Sequence, residues 1–183
     1  MREENYLKNI DENLKDKYKK AIEYLDKHKF AKAEELLAEI QAEKPDFVPL
    51  YNKWGVIHIH RKEYEQAKDR LYHAIELDKK FAPAYTNLGS LVKAEGNLQH
   101  AKEIYKKAIE VDPEYGLAYN NLGVINREEG NYTESVKNLK KARKYGSYHV
   151  DLSSDRPIYK EPGCLFVIGI IIIIVVLIFF MLT

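Results

Sequence analysis

One cysteine in 183 residues, Cys164, leaves this chain no partner with which to close a disulfide on itself. There is no HExxH, no nucleophile elbow, no cysteine pair and no glycine-rich phosphate loop, so the familiar signatures of hydrolases, metalloproteases and nucleotide enzymes are missing and no enzyme is expected. Charge of one sign is also lacking. The 29 basic and 28 acidic side chains leave a formal net charge of +1, which gives no general field for nucleic acid. His58 and His60 stand two apart, a spacing that points them to different faces of a helix. His28, His73, His100 and His149 are scattered, so neither a metal nor any other cofactor is expected. The start, Met1-Arg2-Glu3-Glu4-Asn5, has no apolar core and does not read as a secretory signal.

What the chain does have is an uncharged apolar run from Leu165 to Leu182. At the usual transfer values it would favour insertion into a bilayer by about 5 to 10 kcal/mol. Isoleucines 170 to 174 would suit a strand in water. In lipid an isolated span must pair its backbone amides internally, which requires a helix. Eighteen residues of helix cover about 27 Å, close to the thickness of a hydrocarbon core. The expectation is a transmembrane helix over 164–182, and hence a tail-anchored, single-pass membrane protein. Lys140, Lys141, Arg143, Lys144, Arg156 and Lys160 all precede the run, which places the N-terminal domain in the cytosol by the positive-inside rule. At Cys164, on the cytosolic edge, lipidation and simple packing at a helix end are both open.

Upstream of the run the chain repeats itself every 34 residues. Tyr51, Tyr85 and Tyr119 align, as do Trp54, Leu88 and Leu122, and then Ala21, Gly55, Gly89 and Gly123. Twelve residues beyond the small position come Ala33, Ala67, Ala101 and Ser135. Leu37, Leu71, Tyr105 and Leu139 follow four later, and Ile40, Ala74, Ala108 and Ala142 three later still. A small residue on each helix of a pair lets the two axes approach closely, with larger residues filling the surrounding grooves. Glu95-Gly96-Asn97 and Glu129-Gly130-Asn131 read as turns, with glycine just past one helix and asparagine available to cap the next. His28-Lys29 and Lys62-Glu63 stand in their place in the first two units. The spacing predicts eight helices, near 14 to 26, 30 to 43, 48 to 60, 64 to 77, 82 to 94, 98 to 111, 116 to 128 and 132 to 145.

In period and spacing, residues 14–147 resemble the tetratricopeptide repeat family. The implied fold is all-α: a right-handed α-solenoid of four helix-turn-helix units (14–47, 48–81, 82–115, 116–147). Before it lies an N-terminal segment, 1–13, in which Tyr6, Leu7 and Ile10 suggest a short helix covering the first unit. After it comes a linker, 148–163, with a loose-coil span of roughly 25 Å.

The resemblance further implies a concave groove lined by the first helix of each unit, with a protein or peptide ligand as its partner. The matching positions are Asn52, Thr86 and Asn120, then Lys53, Asn87 and Asn121, then Val56, Ser90 and Val124, with Lys93 and Arg127 further along. The amides suit a peptide backbone and the two cations a carboxylate, so an acidic or C-terminal peptide is expected. The lysine-asparagine carboxylate clamp of one branch of the family is replaced here by Tyr18 and Ile22. Equal weight falls on a second role for Asn87 and Asn121, as hydrogen-bonding supports between units. In the last helix Val136, Leu139 and Ala142 form the expected buried stripe, while Lys137, Lys140, Lys141, Arg143 and Lys144 make a basic, membrane-proximal surface. That surface serves as a solvating cap and would also contact anionic membrane lipid.

The function expected is that of a membrane-held adaptor or scaffold that recruits a protein partner on the cytosolic face. The alternatives are a homo-oligomer assembled through Tyr64, Tyr72 and Tyr132, or an organelle import or division receptor. A bacterial cytoplasmic membrane or the endoplasmic reticulum fits the strongly apolar run better than a mitochondrial outer membrane.

Overall fold

Burial in the computed structural model follows one rule along most of the second helices: small, large and then small or branched residues at i, i+4 and i+7. Ala33, Leu37 and Ile40 obey it, as do Ala67, Leu71 and Ala74, and Ala101, Tyr105 and Ala108, all at most 1% exposed. That spacing is one stripe of an α-helix. The structure describes residues 3–146, and the expected transmembrane helix over 164–182 and the linker over 148–163 lie outside the described residues. Among the described residues no helix is long and apolar enough to cross a membrane.

The described residues form α1 (Glu3–Leu7), α2 (Glu12–Asp26), α3 (Phe30–Glu43), α4 (Val48–His60), α5 (Tyr64–Leu77), α6 (Ala82–Ala94), α7 (Leu98–Val111), α8 (Gly116–Glu128) and α9 (Tyr132–Lys144). The helices from α3 to α8 keep the predicted limits, while α2 begins two residues early and α9 ends one residue early. At the start of α2 the carboxylate of Asp11 accepts a bond from the Leu14 amide at 2.9 Å, satisfying one orphan donor of the first turn. Pro49 and Pro83 sit at the starts of α4 and α6, where a missing N–H costs nothing. The expected asparagine caps divide: Asn97 Oδ1 accepts from the His100 amide at 3.1 Å, whereas Asn131 makes no such bond.

The helices pair as α2 with α3, α4 with α5, α6 with α7 and α8 with α9, and each second helix packs on the first helix of the following pair. The result is an all-α solenoid of stacked hairpins. Glycine sets the closeness of the crossings. A methyl group on Gly55 would come within 2.7 Å of the Leu71 side chain, on Gly89 within 2.7 Å of the Tyr105 ring and on Gly123 within 3.0 Å of Leu139. At the joints between hairpins the aligned tyrosines act as staples. The hydroxyls of Tyr51, Tyr85 and Tyr119 donate to the carbonyls of Pro45, Lys79 and Pro113 at 2.6, 3.2 and 3.1 Å.

One packing expectation is corrected at the end of the stack. Val136 is 52% exposed and Leu139 only half-buried, while Ser135, Asn138 and Ala142 are the buried residues of α9. The reason is geometric. In α5 and α7 the position of Val136 is Lys68 and Lys102, which face the next hairpin, and beyond α9 the described residues offer none.

Candidate binding face on the first helices

The expected groove residues reside on α4, α6 and α8, which succeed one another in the stack, α4 touching α6 and α6 touching α8. Polar side chains hold this layer together. Asn87 Nδ2 donates to Asn52 Oδ1 at 2.8 Å across the second and third hairpins, and Asn52 is 2% exposed. Ser90 is a junction. Its hydroxyl donates to the Thr86 carbonyl at 3.0 Å, accepts from Asn121 Nδ2 at 3.2 Å and lies 3.1 Å from the Tyr105 hydroxyl. Burial pushes the Tyr105 phenol above its ordinary pKa, with Ser90 and Asn121 pulling it partly back. Thr86 is buried too and spends its hydroxyl on the Ala82 carbonyl at 3.1 Å. Asn87 and Asn121 therefore both bridge neighbouring hairpins, the supporting role that the sequence left level with ligand binding.

Four of the expected residues converge on one hollow of about 240 Å³, where Ser90, Lys93, Asn121 and Val124 are joined by Tyr105. It brings together two hydroxyls, an amide, an ammonium and the apolar side chain of Val124. The ammonium is already engaged: Lys93 Nζ pairs with Glu128 at 2.7 Å. Arg127 is exposed, and Asn120 reaches Asn121 only at 3.5 Å. Val56 is half-buried on α4.

At the other end of this layer, Lys53 does hold a carboxylate, and it belongs to the chain itself. Glu3 Oε2 lies 3.0 Å from Lys53 Nζ, and Glu3 Oε1 accepts from the Tyr18 hydroxyl at 2.8 Å. One turn along α1, the Tyr6 hydroxyl donates to Asp78. The Tyr6 ring stands edge-on to Phe81 at 5.6 Å and to Phe47 at 6.3 Å, and Phe47 stands edge-on to Tyr18 at 5.1 Å. Burial first, then the neighbouring carboxylates, raises the pKa values of Tyr6 and Tyr18 well above the usual 10. Tyr115 is raised as well, by burial and then by Glu3 and Asp112.

The N-terminal segment thus does more than cover the first unit, since its contacts extend to the loop before α6. Sequence reasoning missed Glu3, Tyr18, Phe47, Asp78 and Phe81 as a site. The only available signal was the recurrence of phenylalanine 34 residues apart, at 47 and 81.

On α9, Lys137, Lys140, Lys141, Arg143 and Lys144 are all exposed, as expected of the basic surface. Lys140 and Arg143 flank a hollow of about 250 Å³ floored by Val136 and Leu139, and Lys141 lies over the Tyr119 ring at 5.0 Å. Among the described residues no group of three or more His, Cys, Asp or Glu could hold a metal ion.

Stacked hairpins with a polar-lined inner layer define the class: an all-α solenoid of the protein-interaction scaffold type. Residues 82–115 match a family model described as tetratricopeptide repeat, and residues 104–137 match a second with the same description. Among solved structures, the chain is similar to the crystal structure of MamA, at 28% identity and a TM-score of 0.57, over 78% of this chain and 84% of that one. A second MamA crystal structure gives 26% identity and a TM-score of 0.55, over 80% and 79% of the two chains. A structure of pilF from Pseudomonas aeruginosa shares the fold at 17% identity, with a TM-score of 0.60 over 74% of this chain and 62% of that one. No curated protein matches the sequence.

Proposed function

We propose that this protein is a membrane-held adaptor: the repeat array presents its first-helix face to a protein segment, and the apolar run Leu165–Leu182 fixes the array to a bilayer with the repeats on the cytosolic side. The observation that carries the binding half is the hollow at Ser90, Lys93, Tyr105, Asn121 and Val124, where hydroxyl, amide and ammonium groups stand beside the apolar side chain of Val124 and the Tyr105 ring. A peptide needs that combination, for its backbone is polar and its side chains are mixed. The reading includes no catalysis and no cofactor. Support for the membrane half is the hydropathy of the run and the basic residues that precede it, and a bacterial cytoplasmic membrane or the endoplasmic reticulum would suit such an anchor. Confinement at a surface then raises the effective concentration of weak contacts.

A photo-crosslinking residue at position 124 of the full-length chain, compared with one at Tyr72 on the second-helix side, tests the binding half. Discrete crosslinked species from position 124 and none from position 72 are expected, and equal patterns would defeat the reading. The membrane half predicts that the protein survives alkaline carbonate washing of membranes, and that Ile172→Lys with Val176→Lys releases it.

Self-assembly is the second reading, favoured by the exposure of Tyr72 (48%) and Tyr132 (67%). A monodisperse monomer in detergent would remove it.

A further inference from the structure

A five-residue helix has no stability of its own in water, since nucleation costs more than one or two backbone bonds return. Yet Glu3–Leu7 is helical, because the first-helix layer holds it at separate points. The Glu3 carboxylate is shared between Lys53 and Tyr18, the Tyr6 hydroxyl bonds Asp78, and the Tyr6 ring fits edge-on between Phe47 and Phe81. Leu7 and Ile10 complete the contact, packed against the hydrophobic core. These contacts come from α2, α4 and the loops that precede α4 and α6, so the segment spans the first two hairpins up to the joint with the third, as a bound peptide would. Lys53 lies on the face assigned above to ligand binding, and the buried Tyr18 of α2 shares the Glu3 carboxylate with it.

We infer that α1 is a resident ligand, and that this end of the face takes a short helical protein segment carrying a carboxylate, a tyrosine three residues later and apolar residues four and seven residues after the carboxylate. The inference rests on the reading of the first-helix face as a binding surface and names the chemistry it selects. The recognition elements are complementary on the page: an ammonium and a phenol for the carboxylate, a pair of phenylalanine edges for the aromatic ring and an acceptor, Asp78, for its hydroxyl. Such edge-to-face pairs are favourable beyond the area they bury. Tethering keeps the resident segment at a high effective concentration, so an incoming segment must outcompete it and its apparent affinity falls by the fraction of chains in which the face is open. The N-terminal segment thereby sets a threshold that only a better-matched or locally concentrated partner passes.

The test uses the full-length chain in detergent micelles and, as probe, a dye-labelled peptide of residues 3–12 with Lys8→Gln. A Glu3→Ala, Tyr6→Ala variant of the chain should bind this peptide at least tenfold more tightly than the unaltered chain. Adding Lys53→Ala to that variant, or Tyr6→Ala to the peptide, should cost at least tenfold. Equal binding by the variant and the unaltered chain, or indifference to Lys53→Ala, overturns the inference. Because the variant could lose its fold, the unaltered chain supplies a second readout. Trypsin cleavage after Lys8 should quicken at least threefold with saturating peptide, and an unchanged rate overturns the inference independently. Crosslinks from position 124 together with no peptide effect would sink this inference alone and leave the binding face standing.

Discussion

His28 and Lys62 have φ of 53° and 62°, and Gly96 and Gly130 have φ of 88° and 79°, so the hairpin turn of every repeat passes through the left-handed region at the same point, 34 residues apart. A side chain with a Cβ pays roughly 1–2 kcal/mol there. Glycine avoids that cost but gives back about 0.5–1 kcal/mol in chain entropy. Lys62→Gly is therefore expected to stabilise the array by about 0.5–1 kcal/mol, read as a higher denaturant midpoint. His28 is a poorer site for the same change, because its ring packs against Phe30 and His60 at 5.7 Å each. At the crossings the sign reverses. Gly89→Ala would drive a methyl group within 2.7 Å of Tyr105, which is 1% exposed and cannot retreat. Overpacking should outweigh the better helix propensity and cost about 1–2 kcal/mol. Gly123→Ala meets half-buried Leu139 at 3.0 Å and should be nearly neutral, so comparing the two melts tests whether confinement decides the effect.

Between elements, the recurring device is an ion pair that ties the second helix of one hairpin to the end of the first helix of the next. Glu34 binds Arg61 through both oxygens at 2.7 Å, Lys68 binds Glu95 at 2.8 Å and Lys102 binds Glu129 at 2.7 Å. All three pairs fall at the same two repeat positions, and the first has its signs reversed. The geometry thus tolerates either polarity. Exchanging the last pair, Lys102→Glu with Glu129→Lys, should recover most of the stability that either single reversal loses, with single losses within about 1 kcal/mol for such accessible charges. A double-mutant cycle measures it. Val136 occupies the next place in this series, where the described residues supply no partner, and so it stands exposed.

For the molecule as a whole, the phenols provide a handle on pH. Tyr18 is almost fully buried, and its pKa in the folded chain is raised well above the 10 it has when unfolded. Its contribution is complete below pH 10 and is lost as pH rises beyond it, because only the unfolded chain releases the proton. By pH 11 this linkage should remove about 1 kcal/mol for Tyr18, and Tyr18→Phe should flatten the fall of the urea midpoint between pH 10 and 11. Tyr6 and Tyr115 shift in the same direction and steepen the alkaline fall. The same groups report on α1, since Glu3 bonds the Tyr18 hydroxyl and raises the pKa of Tyr115.

The 34-residue period was enough, by itself, to locate the eight repeat helices, their turns and the glycine crossings, because those depend on contacts within a repeat or between identical neighbours and so recur in the sequence. Ligand chemistry was less legible. Asn87 and Asn121 read equally well as binding groups or as supports, and only the packed structure shows Asn87 bonded to Asn52 and Asn121 to Ser90. Lys53 was legible as a cation on the inner layer, but not that Glu3, fifty residues away in sequence, neutralises it. The exposure of Val136 depends on what stands beyond the last hairpin, which no repeat pattern contains. Local periodicity determined the elements, whereas the docking of a unique segment across the first two hairpins occurs once, has no repeat to announce it and was decided by tertiary packing alone.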